Sequence, residues 1–323
     1  MSRLAIILSL ISIVFPGVGF SVASELIKVS LVPHWIPQAQ FAGYMVALEK
    51  GFYREAGMDL NLLRGGPDNP AFKALREGRA TFGTDWVSAG IRTRVSGTPV
   101  VNIGQITQRS ALMLVAKKRS GIRSVRDLEG KRIGLWGGNF QIQPMAFFRK
   151  CDLSVTTVPL YSTVNLFLKG AVDAISAMWY NEYHIILDSG YNPDELTLFF
   201  FSDYGLNFPE DGLYCLEETY RADPDLCKRL VQASSRGWLY AFEHEAETVD
   251  LVMRYAEAAH TGTNKAHQRW MLRRMKDLIL PDGDKSGLGK LKEADYNTVG
   301  ETMKSLNLVE DIPPYDDFYR GEK

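Results

Sequence analysis

The sequence predicts an α/β protein of two units, each a doubly wound sheet flanked by helices, with a cleft between them and a helical C-terminal extension. Three observations predict it. From residue 25 onward, short β-branched runs alternate with longer helical patterns. The alternation restarts near residue 112. Beyond residue 224 the pattern becomes almost wholly helical. Strands alternating with helices in this way build parallel sheets covered on both faces.

In the first unit, 26–32 reads as a buried strand and 40–55 as a helix. A second strand at 58–63 runs into the turn Gly65-Gly66-Pro67. A helix at 71–77, a short strand at 80–83, a helix at 87–95 and a strand at 99–106 follow. The second unit opens with a strand at 112–116 and a short helix at 124–128, which starts at the N-cap Ser124. Strands at 132–136, 155–159, 173–178 and 196–200 alternate with helices at 140–150, 163–169 and 181–189. A strand at 212–216 is placed to return the chain to the first unit. Helices at 224–243, 246–259, 266–279 and 290–306 complete the reading, and the tail with Pro313 and Pro314 packs as a strap. The expected division is 25–115 with 210–323 as one lobe and 116–209 as the other, the chain crossing between them twice.

Composition excludes several function classes. With 323 residues and 46% hydrophobic content, the chain can bury a substantial core. Its 37 basic and 38 acidic residues leave a net charge of −1, which gives no support to nucleic-acid binding or a polybasic membrane anchor. Three cysteines are too few for a disulfide scaffold, and their odd number leaves at least one unpaired within the chain. A Cys215–Cys227 bridge and three reduced thiols both stay open.

Residues 1–24 read as a cleaved signal peptide. Arg3 precedes an apolar run at 4–14, Pro16 and Gly17 break any helix, and Ser21-Val22-Ala23 offers the small residues of a cleavage site. The run is too short to span hydrocarbon. No cysteine follows it, so no lipoprotein anchor is expected. The product should be soluble and extracytoplasmic.

Open parallel sheets bind ligands beyond the carboxyl ends of their strands. Trp35, Trp86, Trp136 and Trp179 fall at or just after strand ends, in the company of His34, Asp85, Asn139 and the pair Asn181/Glu182. Tryptophan faces can stack on a ring, worth about 0.5–1.5 kcal/mol beyond burial, while carboxylates accept from amino or ring N–H groups. This combination suits a flat ligand rich in N–H donors. Each tryptophan alone reads equally well as a structural plug of its strand end. Gly137-Gly138-Asn139 joins a strand to a helix, where free N–H groups can hold an anion or polar substituent, although a plain βα turn uses glycine the same way. Ser286-Gly287-Leu288-Gly289-Lys290 lacks the glycine spacing of a phosphate loop. The histidines at 34, 184, 244, 260 and 267 are scattered, and neither they nor the cysteines show metal-ligand spacing, so no metal is expected.

Several segments together resemble a known family. They are Trp35-Ile36-Pro37, Gln40-Phe41-Ala42-Gly43-Tyr44, Glu49-Lys50-Gly51-Phe52-Tyr53, Ala56-Gly57-Met58-Asp59-Leu60 and Gly78-Arg79-Ala80-Thr81-Phe82-Gly83. Further on come Ser124-Val125-Arg126-Asp127-Leu128-Glu129-Gly130-Lys131-Arg132-Ile133-Gly134, Val172-Asp173-Ala174 and Met178-Trp179-Tyr180-Asn181-Glu182-Tyr183. These are similar to solute-binding proteins of ABC transporters in the alkanesulfonate and thiamine-precursor group. The resemblance implies a type 2 periplasmic binding fold whose lobes close on a small molecule before docking on a membrane permease. The Trp35 and 40–44 segments look most like members that bind thiamine-pyrimidine precursors. A riboflavin-type or other aromatic ligand is the open alternative.

On that resemblance the chain is expected to bind a pyrimidine-like heterocycle as a periplasmic monomer, with an ABC permease as partner, no cofactor and no reaction to catalyse. Asp85 and Glu182 would accept hydrogen bonds, Trp35 and Trp179 would stack, and Tyr44, Gln108 and Asn181 would orient the ligand. Trp86 and the Gly137, Gly138, Asn139 turn complete the expected site. Two rival readings stand beside it. One is a pyrimidine-synthase enzyme, since some yeast relatives consume a histidine and use pyridoxal phosphate. Their cysteine-rich iron motif has no counterpart here, because Cys151, Cys215 and Cys227 lie far apart. The other is a sensing module that docks on a membrane kinase.

Overall fold

The computed structural model describes residues 25–322, and the expected signal peptide lies outside them. Ten strands form two five-stranded sheets. They are β1 (Ile27–Val32), β2 (Met58–Leu62), β3 (Phe82–Asp85), β4 (Val100–Gln105), β5 (Leu112–Lys117), β6 (Arg132–Leu135), β7 (Thr156–Pro159), β8 (Ala174–Met178), β9 (Leu196–Phe200) and β10 (Gly212–Leu216). The first sheet has the order β2-β1-β3-β10-β4 and the second β7-β6-β8-β5-β9. Helices flank both sheets, so the mixed α/β class expected from the alternation is what the chain adopts.

The sheets are not wholly parallel. β1 pairs parallel with β2 and β3, while β10 runs antiparallel to β3 and β4. In the second sheet β6 pairs parallel with β7 and β8, while β5 runs antiparallel to β8 and β9. The reversed strand in each sheet is the one that has just arrived from the other. β4 and β9 finish at the edge where the two sheets face each other, and the crossing segments are short. A strand entering directly from that edge must run against its neighbours. The expected boundary at 115 falls inside β5, all of whose residues pair in the second sheet.

All six residues of β4 and all six of β5 are buried. β4 lies at the end of its sheet order, yet it is covered. The tail bridges it at Asn102↔Tyr319, and Arg320 N donates to Asn102 O (2.8 Å). An otherwise open edge is thereby closed by the C-terminal strap.

The expected helix at 40–55 is interrupted. Gly51 sits at φ +76, so the chain forms Ala42–Glu49, breaks, and resumes at Phe52–Glu55. The left-handed conformation suits glycine, and it ends the first helix. Pro224–Glu243 starts with proline in its first turn and Asp223 as cap, whose Oδ1 accepts from Leu226 N (2.8 Å). Lys265–Ile279 is capped by Asn264, whose Oδ1 accepts from His267 N (2.9 Å). Among the described residues no helix is long and apolar enough to cross a membrane. The three cysteines are free thiols, with the Cys215 and Cys227 sulfurs 4.0 Å apart.

A candidate ligand cleft between the two sheets

The parallel strands β1, β3, β6 and β8 all end at the facing edge of their sheets, and the reversed β10 begins there. A cleft of about 850 Å³ opens at this edge. The turn after β1 supplies His34, Trp35, Gln38 and Gln40. The ends of β6 and β8 supply Trp136, Gly137, Gly138, Phe140, Tyr180, Asn181 and Glu182. A third wall comes from the helical extension, through residues 261–264, His267 and Gln268.

A polar relay forms the floor. Asp211 precedes β10 in a left-handed conformation, φ +49. Its Oδ1 lies 2.8 Å from His34 Nδ1, and its Oδ2 accepts from Gln40 Nε2 (2.9 Å). Because a carboxylate only accepts, Gln40 must turn its amide nitrogen toward Asp211. Its carbonyl then accepts from Gln38 Nε2 (2.6 Å). Asp211 occupies His34 Nδ1, which leaves Nε2 as the ring nitrogen a ligand can reach.

Three carboxylates surround this histidine. Burial alone would lower the His34 pKa, but the charges of Asp211, Asp85 and Glu210 outweigh it and hold the value above normal. Burial pushes Asp85 up to about 6, against the opposing pull of His34. Burial, reinforced by Asp211, pushes Glu210 up to about 8. Of this buried cluster His34 lines the cleft, while Asp85, Glu210 and Asp211 stand outside the lining and hold the ring toward its protonated form.

On the second-sheet side, Glu182 opens the helix Glu182–Asp188 and lines the cleft. Its carboxylate is already engaged: Oε2 accepts from Met178 N (2.9 Å) and Oε1 from Asn181 Nδ2 (2.8 Å). Burial raises its pKa, and those bonds work against the rise. Trp136 Nε1 donates to Tyr161 O (3.2 Å), which ties the exposed rim residue Tyr161 to the β6 turn. Gly138, at φ +67, gives that turn its left-handed step, and a Cβ there would meet nothing within 4 Å. The backbone at Gly137 and Gly138 is thus open to a ligand.

Of the residues expected from the sequence, Trp35, Gly137, Gly138, Asn181 and Glu182 line the cleft together. The others lie elsewhere. Tyr44 is fully buried and packs edge-on against Trp238, ring centroids 5.9 Å apart. Trp86 is buried edge-on against Phe140 at 5.1 Å, and Phe140 meets Trp136 at 5.9 Å, so this trio joins the two sides beneath the cleft. Asp85 accepts from Trp86 N (2.8 Å) and acts on His34 through its charge. Gln108 sits in the first crossing, its Nε2 donating to Gln105 O (2.8 Å) and Lys290 O (3.2 Å). Asn139 lies on the turn following β6, outside the lining. Trp179 packs under the Arg274 guanidinium at 4.6 Å and edge-on to Phe200.

Sequence reasoning left His34 uncommitted and missed Gln38, Asp211 and the wall from the helical extension. The signal for Asp211 was its position just before a returning strand. The signal for the extension was the Asn264 cap, which opens a helix whose first turn carries His267 and Gln268. Gln268 Oε1 accepts from Ala39 N (2.6 Å), and this bond brings that helix to the cleft.

Comparison with known proteins places this geometry. A family model described as NMT1/THI5 like matches residues 38–248. A 4-amino-5-hydroxymethyl-2-methylpyrimidine phosphate synthase from Legionella pneumophila is 26% identical over 302 residues, covering 88% of each chain. The riboflavin-binding protein RibY from Chloroflexus aurantiacus is 24% identical over 244 residues, 73% of this chain and 68% of RibY. The periplasmic aliphatic sulphonate binding protein SsuA from Escherichia coli superposes with a TM-score of 0.70 at 14% identity, covering 90% of this chain and 91% of SsuA. The fold is that of solute-binding proteins of ABC import systems.

Proposed function

The chain belongs to the NMT1/THI5-like family, and from that premise we propose that it is an extracytoplasmic solute-binding protein for a small, flat nitrogen heterocycle. The ligand class is that of thiamine-pyrimidine precursors. The two lobes, one built on each sheet, close on it and present it to an ABC permease. One observation carries this reading. The cleft is lined by Trp35, Trp136, Phe140 and Tyr161 together with the carboxylates of Glu182 and Asp188, and no lysine or arginine is among the described residues lining it. Aromatic faces accommodate a planar ring, and the lining carboxylates of Glu182 and Asp188 suit amino and ring N–H donors. A sulfonate would meet Glu182 and Asp188 in the lining, with no lysine or arginine among the described residues there to pair with it.

The synthase reading is favoured by the Legionella relative, which matches over most of both chains, and by fungal relatives of the same name that match over a third to a half of this chain. The lining does not fit pyridoxal phosphate chemistry of the Schiff-base kind. Among the described residues lining the cleft there is no lysine to form the imine. No cysteine lines it to hold iron through sulfur.

The test is mass spectrometry of the small molecules that co-purify with the protein, followed by calorimetric titration of each. An amino-bearing planar heterocycle, bound one per chain and recovered unaltered, supports the proposal. Binding of an alkanesulfonate in its place, or turnover of the bound molecule, overturns it.

A further inference from the structure

His184, Asp188 and His267 each offer one ligand atom at the rim of the cleft, and these atoms lie within 4.8 Å of one another. His184 and Asp188 stand one turn apart on the helix Glu182–Asp188, which follows β8 of the second sheet. His267 comes from Lys265–Ile279, the helix fastened to the first-sheet turn through Gln268 and Ala39. His184 Nδ1 is 2.9 Å from His267 Nδ1 and 3.3 Å from Asp188 Oδ2. Ligand bonds of about 2.0–2.2 Å hold neighbouring donors roughly 3 Å apart in tetrahedral or octahedral geometry. The two separations from His184 are already of that size, and all three ligand atoms lie within 4.8 Å of one another.

The surroundings orient both rings. Asn181 Nδ2 donates to Glu182 Oε1, which fixes the amide and turns Asn181 Oδ1 toward His267 Nε2 at 2.9 Å. His267 Nε2 must then carry the proton, so in the neutral ring the lone pair sits on Nδ1, the atom facing His184. His184 is held from another side by Trp270, stacked with ring centroids 4.9 Å apart and planes 28° from parallel. A ligating imidazole whose other nitrogen donates to a fixed carbonyl, beside a second imidazole and a carboxylate, has the outer support typical of metal ligands.

We propose that His184, Asp188 and His267 form a binding site for a divalent first-row transition-metal ion that ties the second-sheet helix to the helix Lys265–Ile279 at the cleft mouth. Two nitrogens and one carboxylate oxygen suit Zn²⁺, Co²⁺, Ni²⁺ or Fe²⁺ and leave coordination positions for water. Asp188 and His267 both line the cleft, so those positions border the ligand space. The proposal stands independently of which organic ligand the cleft takes. Because the donors come from elements on opposite sides of the cleft, the ion would favour the closed arrangement.

The test uses the mature chain, stripped with a chelator and titrated with Co²⁺ and Zn²⁺ alone. Co²⁺ is followed by its visible absorption and Zn²⁺ by calorimetry. One ion per chain is expected, with a higher melting temperature and a smaller scattering radius on binding. His184→Gln and His267→Gln should each weaken uptake by more than about tenfold, and the double variant should abolish it. Metal-free melts check that each variant is folded. If His267→Gln melts early, Asp188→Asn decides, because Asp188 is exposed and its change leaves the packing intact. Failure of the wild type to take up either ion overturns the proposal, and so does uptake that is unchanged in His184→Gln and Asp188→Asn. In that case the two rings share only a proton.

Discussion

Replacing Glu210 with glutamine tests the electrostatics of the cleft floor in the ligand-free protein. Glu210 is fully buried where the two crossing segments meet. Its Oε1 accepts from Ser110 Oγ (3.0 Å) and Ala111 N (2.6 Å), which fastens the returning crossing to the outgoing one. Its Oε2 is buried with no partner. Burial, with the charge of Asp211, pushes the carboxyl from 4.5 to about 8. The folded protein therefore keeps this proton across a range in which the unfolded chain has lost it. Native Glu210 binds more protons than unfolded Glu210 between about pH 4.5 and 8, so its contribution to stability falls as pH rises through that window. The slope approaches about 1.4 kcal/mol per pH unit, and the total has an upper bound of roughly 5 kcal/mol, lessened by the neighbouring charges. Glutamine retains the carbonyl that accepts from Ser110 and Ala111 and cannot ionise. Glu210→Gln should match the wild type near pH 4.5 and surpass it increasingly toward pH 8, levelling above that. The assay is urea unfolding of both proteins at intervals from pH 5 to 9. A stability difference that is constant with pH would refute the reasoning, because Glu210 would then ionise in the fold as it does in the unfolded chain.

Four further substitutions have defined outcomes. Asp211→Asn removes the carboxylate that holds His34 and Gln40 and should weaken binding of an amino-bearing heterocycle by calorimetry, by at most roughly ten- to hundredfold, the worth of the charged His34–Asp211 bond at about 1.5–3 kcal/mol. Tyr44→Phe should leave that affinity unchanged, since Tyr44 lies fully buried against Trp238, while Trp238→Ala should cost about 3–5 kcal/mol in urea unfolding. Gly237→Ala should lower the melting temperature sharply, because its Cβ would sit 2.1 Å from the Gly43 carbonyl oxygen, and an overpacked contact costs at least about 1–3 kcal/mol.

Much of the fold was legible because burial leaves a strong mark on short strands. β5 is buried along its whole length and reads as a continuous apolar run from Leu112 to Ala116, and β4 opens on Val100-Val101 although it also buries Asn102 and Gln105. Pro224–Glu243 carries both its cap and its first-turn proline in the local sequence. Direction is not written in the same way. An apolar run such as 112–116 or 212–216 packs equally well in either direction, and only the path of the preceding crossing decides it. The helix at 40–55 shows the opposite error. Gly51 was in plain view, but the apolar pattern resumes at Phe52 and hides the break.

The site was legible to the extent that it obeys the rule it was sought with. Trp35, Gly137, Gly138, Asn181 and Glu182 follow strands that end at the facing edge, and they line the cleft. Trp86 and Trp179 obey the same rule and are claimed by packing, one by Phe140 and the other by Arg274. Sequence position brings a tryptophan to the edge; which way it is used depends on whether a neighbour from elsewhere in the chain covers it. Tyr44 stood beyond any such rule, because residues 42–47 are buried on every side and show no polar face from which an inward tyrosine could be told apart. Asp211 was missed for a reason that bears on function. A reversed strand brings its beginning, not its end, to the binding edge, and the residue before it comes from the second crossing. The carboxylate that engages His34 is therefore carried by the segment adjoining the crossing that Glu210 fastens. On the proposed closure, movement of that crossing would shift Asp211 against His34 and Gln40 and so couple the proposed recognition to hinge geometry through adjacent residues.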